Sequence, residues 1–226
     1  MVKYEKIPFR FRKMPDYTKG EEIFNTVSHI VGAAFGVIAL VLTVVFSALR
    51  GDVWSVVGSS IYGASMVALY TVSSVYHGLH LNMGKRVMQV IDHCTIFLLI
   101  AGTYTPVVLS CIRAYSPGWG WTLFGIVWGC AALGITFTAI DMKRYEKLAM
   151  ALYLGIGWCV VLAIGPAMAS VPAEGLLWIL AGGIVYTIGA GLYALGVKHR
   201  YMHSVFHIFV VAGSILQFFG IFFYVI

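Results

Sequence analysis

Seven apolar stretches recur along this chain, each about long enough to cross a bilayer. They lie at roughly 23–48, 54–79, 87–112, 118–140, 147–169, 175–197 and 202–225. Lipid offers no partner to backbone amides and carbonyls, so each stretch must satisfy them internally and reads as a helix. The connections leave no room for a separate soluble domain. The sequence therefore predicts an all-α, polytopic membrane protein. A basic N-terminal tail over residues 1–22 precedes a seven-helix transmembrane bundle over 23–226. Composition agrees: 60% hydrophobic and 11% charged residues cannot clothe a soluble domain.

Charge placement predicts an orientation. Thirteen of the fifteen lysines and arginines fall on one set of alternate faces. They are Lys3, Lys6, Arg10, Arg12, Lys13 and Lys19 in the tail, Lys85 and Arg86 before the third span, Lys143, Arg144 and Lys147 before the fifth, and Lys198 and Arg200 before the seventh. Arg50 and Arg113 fall on the other face. Positive loops stay in the cytoplasm, so the N-terminus is expected inside and the C-terminus outside a plasma (cytoplasmic) membrane. The net charge of +6 is then a topology signal with some anionic headgroup contact, and nucleic acid is not an expected partner. This orientation is opposite to that of G-protein-coupled receptors. Residues 201–226 contain no lysine, which excludes a retinal Schiff base in the last helix. The four cysteines, Cys94, Cys111, Cys130 and Cys159, form no CxxC pattern and read as buried thiols.

Ionisable side chains are costly inside a membrane and mark functional positions. Here they cluster. The second span ends in "SSVYHGLH", with Ser73 and His77 one turn apart on one face. The third carries Asp92, about 9 Å beyond Arg86, and the seventh carries His203 and His207, about 5 and 10 Å beyond Arg200. By alternation His77, Asp92, His203 and His207 share one side of the membrane at a shallow depth. Three converging imidazoles with one coordination position open describe a catalytic-type zinc site. A carboxylate such as Asp92 would deprotonate a water there, and Ser73 would hydrogen-bond that water or an oxyanion. The alternative is a set of interhelical histidines that only hydrogen-bond between helices or cap their ends.

These residues carry a resemblance. "EEIFNTVSH", "SSVYHGLH", "DHCTIFLLIAGTYTP" and "HSVFH" resemble the bacterial hemolysin III proteins, which belong to the superfamily of progestin and adiponectin receptors and are distantly related to alkaline ceramidases. The similarity covers nearly the whole chain. It implies a cytoplasmic-side Zn2+ held by His77, His203 and His207, with Ser73 at the family's serine and Asp92 at its water-contacting aspartate. Glu22, Asn25 and His29 match the first-span motif and share one helical face; a supporting or gating role near the metal is expected, the alternative being helix capping and interhelical hydrogen bonding. His80, His93 and His199 are not expected to be ligands.

Two features read as structural. "GAAFG" (Gly32, Gly36) and "GIVWG" (Gly125, Gly129) have the small-residue spacing that lets helices approach closely. Pro106 and Pro166 are expected to disturb the third and fifth spans. The leading functional expectation is a zinc-dependent hydrolase of a lipid-like amide or ester, with membrane lipids as its surroundings. The alternatives are a non-enzymatic sensor of membrane properties that holds a structural zinc and, less favoured, a pore-forming cytolysin. An internal cavity reaching the metal would favour the hydrolase, and a fourth protein ligand the sensor.

Overall fold

Thr18 opens the first helix, which runs Lys19–Leu49. Its side chain accepts a hydrogen bond from the Glu21 amide at 3.2 Å, and Glu21 Oε2 accepts one from the Thr18 amide at 2.8 Å. This reciprocal cap satisfies two of the amides that a helix start leaves free, so the helix begins ahead of its apolar run. Six more helices follow: Val53–Gly78, Met83–Tyr115, Pro117–Asp141, Glu146–Ser170, Ala173–Leu195 and Met202–Tyr224. All seven are long and apolar enough to cross a membrane. The computed structural model describes residues 9–50, 53–196 and 199–226. Lys3, Lys6 and Lys198 of the charge pattern lie outside the described residues, as do the start of the basic tail and the last residue, Val197, of the expected sixth span.

Packing follows from one stripe on the first helix. Its buried residues are Glu21, Asn25, His29, Gly32, Gly36, Ala39, Thr43 and Ser47, recurring every three or four positions along one face. The middle of the stripe is small, so the second helix packs close: a Cβ on Gly32 would sit 2.6 Å from the Tyr70 ring, and one on Gly63 would sit 2.6 Å from Leu40 Cα. The opposite face of the first helix exposes Ile23, Val27, Ile30, Val31, Ile38 and Val41, as a lipid-facing surface does. The first helix also touches the seventh, which packs along the sixth, while the third packs on the second, fourth and fifth.

Both prolines mark irregular backbone. After Pro106 the third span passes through a π-helical stretch, Val107–Ile112, in which the Arg113 amide reaches back to Val108 O. The fifth span breaks after Glu146–Gly157, passes through the 3-10 stretch Cys159–Ala163, and resumes as Ile164–Ser170. Pro166 thus sits in the first turn of the resumed segment, where a missing N–H removes no helical bond. Tyr104 takes up groups freed by the break. Its hydroxyl donates to Gly157 O at 2.7 Å and accepts from the Val160 amide at 3.2 Å.

The expectation for Gly125 and Gly129 is corrected. Among the described residues, a Cβ on either would meet no neighbour within 4 Å. They lie on the exposed face of the fourth helix. Spacing identifies a small-residue ridge but not the direction it faces, and here the buried face is carried by Gly120, Leu123, Val127, Ala131 and Gly134.

Candidate metal centre

Four helix ends build the site: the start of the first, third and seventh helices and the end of the second. Glu21 ties two of them together. While its Oε2 caps the first helix, its Oε1 accepts the Tyr201 amide at 2.6 Å. Tyr201 has a φ of 63°, a left-handed conformation that a bulky residue rarely adopts, and it turns the chain into the seventh helix. The position of His203, two residues on, is therefore referred to the first helix.

Three imidazoles converge there. His203 Nε2 lies 3.3 Å from His77 Nε2 and 3.0 Å from His207 Nε2, and all three ligand atoms lie within 4.8 Å of one another. A tetrahedral ion holding imidazole nitrogens at 2.0–2.1 Å would space them about 3.3 Å apart. The three imidazoles could therefore hold a metal ion: the donors suit zinc, and the two short separations are close to that spacing. Among the described residues His203 Nδ1 has no hydrogen-bond partner. Among the described residues no fourth His, Cys, Asp or Glu joins the cluster.

His77 is held from behind. Its Nδ1 donates to Glu22 Oε2 at 2.7 Å, which fixes the tautomer and leaves Nε2 a free lone pair. Asn25 Nδ2 lies 3.5 Å from the same nitrogen. The other Glu22 oxygen accepts from Lys85 Nζ at 2.7 Å, and that ammonium also donates to Leu79 O at 2.9 Å. Asn82 caps the third helix by accepting the Lys85 amide at 2.9 Å, which sets the base of the lysine. His29 stacks on His207 with ring centroids 3.7 Å apart and planes 13° apart, and among the described residues neither of its nitrogens has a hydrogen-bond partner.

Asp92 and Ser73 do not join the imidazole cluster but face one another beside it, both buried and both lining a cavity of about 160 Å³. His203, His207 and His29 line the same cavity. On one side it is walled by Met150, Leu154 and Trp158 of the fifth helix and by Thr187, Ala190 and Tyr193 of the sixth. Trp158 Nε1, at the break in the fifth helix, donates to Thr187 Oγ1 at 3.0 Å across that wall.

The N-terminal segment crosses the end of the bundle beside the histidines. Arg12 pairs with Asp141 at 3.2 Å, Arg86 donates to the Arg12 carbonyl, and Tyr17 stacks on His203 with centroids 5.0 Å apart. Burial pushes the Tyr17 phenol well above its ordinary pKa, so it stays neutral. Of the remaining histidines, His80 and His199 are exposed. His93 also lines the cavity, but it donates from Nδ1 to Gln89 O at 2.9 Å and stays out of the cluster.

Sequence reasoning missed Glu21, Lys85 and Tyr17. Thr18 and Glu21 have the spacing of a capping box, so that role was readable. Lys85 looks like one more topogenic loop charge, and nothing local in the sequence tells that its ammonium turns inward to Glu22.

A family model described as "Haemolysin-III related" matches residues 17–218, a stretch that holds the three converging histidines, Glu22, Ser73, Lys85 and Asp92. The chain belongs to the haemolysin-III related family. "Hemolysin-3" of Bacillus cereus is 36% identical over 217 residues, covering 96% of this chain and 97% of that one. "Hemolysin-3 homolog" of Bacillus subtilis is 36% identical over 208 residues, covering 92% and 96%. The human "Monocyte to macrophage differentiation factor" is 24% identical over 189 residues, covering 81% of this family member and 76% of the human chain. No solved structure matches it.

Proposed function

We propose that this family member is a zinc-dependent hydrolase of a lipid-like amide or ester, working within the plasma membrane. The observation that carries the reading is the cavity: it brings Asp92, Ser73 and two of the three histidines to one wall and is otherwise largely apolar. Asp92 sits on the wall of that cavity beside Ser73, with His93 Nδ1 3.8 Å from its carboxylate. A site that served only to staple helices has no need of a cavity there or of a carboxylate that costs about 2.5–3.5 kcal/mol on insertion scales.

A zinc ion at His77, His203 and His207 would supply a Lewis acid for the scissile carbonyl and lower the pKa of a bound water towards ~7. Asp92 holds the attacking water and accepts its proton as the water's oxygen bonds to the carbonyl carbon. Ser73 donates a hydrogen bond to the charge that develops on the carbonyl oxygen. As the carbon–nitrogen or carbon–oxygen bond breaks, Asp92 returns the proton to the leaving amine or alcohol. Glu22, clamped by Lys85, keeps the His77 ring in one tautomer throughout. The substrate's tail lies along the apolar part of the cavity, and it enters from lipid between the fifth and sixth helices, which wall the cavity on that side.

The test is hydrolysis of a panel of ceramide-like and acyl-amide lipids by purified, zinc-replete protein beside its Asp92→Asn variant. Asparagine keeps the shape but accepts no proton, so turnover should fall about 10²–10⁴-fold with metal content and thermal stability kept. Equal turnover in both proteins would remove Asp92 from the mechanism. Turnover in neither would favour the sensor reading, in which the same ion only joins helices.

A further inference from the structure

The cavity has a second polar end. Gln217 lies on the seventh helix fourteen residues after His203, about 21 Å further along the axis. It lines the cavity and is only 9% exposed. Its Oε1 has no partner among the described residues, and its Nε2 reaches only Ile179 O, at a long 3.5 Å. Gly182 makes room for it: a Cβ there would come within 2.4 Å of Gln217 Cγ. An orphan amide oxygen inside a membrane bundle is expensive, which singles it out as a group awaiting a ligand.

One turn away, the direction of a hydrogen-bond chain can be worked out. Tyr70 Oη lies 3.1 Å from Val210 O, which can only accept, so Tyr70 donates to it. The 2.6 Å contact between Tyr70 and Ser214 must then be donated by Ser214, and the 2.7 Å contact between Ser214 and Tyr186 by Tyr186. The Tyr186 proton is thus used inside the protein. Its oxygen keeps a free lone pair, and Tyr186 lines the cavity. Gln217 Oε1 and Tyr186 Oη are both acceptors, and two acceptors repel a carboxylate. The rest of the lining is largely apolar, with Leu69, Leu99, Ile100, Met150 and Phe206, and the hydroxyls of Thr103, Tyr104, Tyr153 and Thr187 are donated to backbone carbonyls.

We propose that Gln217 and Tyr186 form a second ligand subsite, one that takes a neutral hydrogen-bond donor, a hydroxyl, at the far end of a long unbranched chain whose carbonyl lies at the histidines. The near end of this assignment rests on the function proposed above, whereas the far end would serve a bound lipid equally well without hydrolysis. The preferred ligand is accordingly polar at both ends, an ω-hydroxylated lipid rather than a plain acyl chain.

The test uses the full chain in nanodiscs, zinc-replete, and two long-chain methyl ketones of palmitoyl length, one bearing a terminal hydroxyl. A ketone has no leaving group, so binding is read without turnover. The hydroxyl should tighten binding about threefold to tenfold. Gln217→Met and Tyr186→Phe, each near the parent shape, should abolish that preference together and reduce it singly, with the plain ketone binding as before. No preference in the parent chain, a preference that survives in the double variant, or no binding of either ketone would overturn the subsite. If the preference holds while the Asp92→Asn comparison shows no hydrolysis, the subsite stands and the hydrolase falls. Hydrolysis that depends on Asp92 without any ketone preference gives the reverse.

Discussion

Glu22 illustrates how much of the centre is decided by single side chains. A lone carboxylate beside a neutral imidazole would orient the ring weakly. Here one oxygen takes the His77 Nδ1 proton and the other takes an ammonium, both at 2.7 Å. A pair in which each charge is hydrogen-bonded resists the rotation that would swing Nε2 away from the other two rings. Glu22→Gln should therefore weaken zinc binding about 10–100-fold, measured by competition with a chromophoric chelator, and Lys85→Met should weaken it less. His77→Ala, His203→Ala and His207→Ala should each lower bound zinc outright, whereas His80→Ala and His199→Ala should not. Full zinc in a His203→Ala, His207→Ala double variant would dispose of the site. At this scale the sequence was informative where the chemistry is rare. Histidine and aspartate stand out in an apolar span, so His77, Asp92, His203 and His207 were legible. Tyr17 and Lys85 were not, because a tyrosine in a tail and a lysine in a loop are ordinary until the fold closes over them.

The helices differ in what their glycines do, and that difference is measurable. A methyl on Gly63 would press on Leu40 at 2.6 Å and force the first two helices apart, whereas a methyl on Gly125 would meet nothing. Gly63→Ala should lower stability by about 1–3 kcal/mol, as overpacking does, while Gly125→Ala should be neutral or slightly stabilising through helix propensity. Thermal unfolding in detergent distinguishes them, and equal effects would contradict the packing described. The broken fifth helix adds a second test. Tyr104→Phe strips the partner from Gly157 O and Val160 N, leaving two backbone groups unsatisfied at a cost of about 1–3 kcal/mol each where lipid replaces water. Helix number and approximate position were readable because bilayer thickness fixes length. Helix starts were not read so well: Thr18 and Asn82 begin helices at polar residues, ahead of the apolar runs that a hydropathy argument follows. Nor was the facing of a small-residue ridge, which depends on the rotation of the whole helix and misled the reading of Gly125 and Gly129.

For the molecule as a whole, the end that carries the metal centre also carries the basic residues. Arg12, Lys85, Arg86 and Arg144 all gather there, with Arg12 pinned to Asp141 and Lys85 turned inward to Glu22. A few members of the charge pattern are thus committed to structure. The rest still carry the expected orientation, because a loop rich in Lys and Arg resists translocation and the opposite loops offer only Arg50 and Arg113. The cavity itself was beyond reach of any one segment of sequence, since its wall is drawn from six of the seven helices. The orientation expected from the count of Lys and Arg is open to direct test. In whole cells, a membrane-impermeant thiol reagent should label Ser116→Cys, in the loop beside Pro117, and should reach Lys143→Cys only after permeabilisation. A reporter joined to Met1 should be cytoplasmic and one joined after Ile226 external. An odd number of crossings requires the two reporters to disagree, so finding both on one side would remove a span from the bundle. Finding each on the opposite side from that stated would keep the bundle intact but turn the histidines, Asp92 and the proposed chemistry to the outer face.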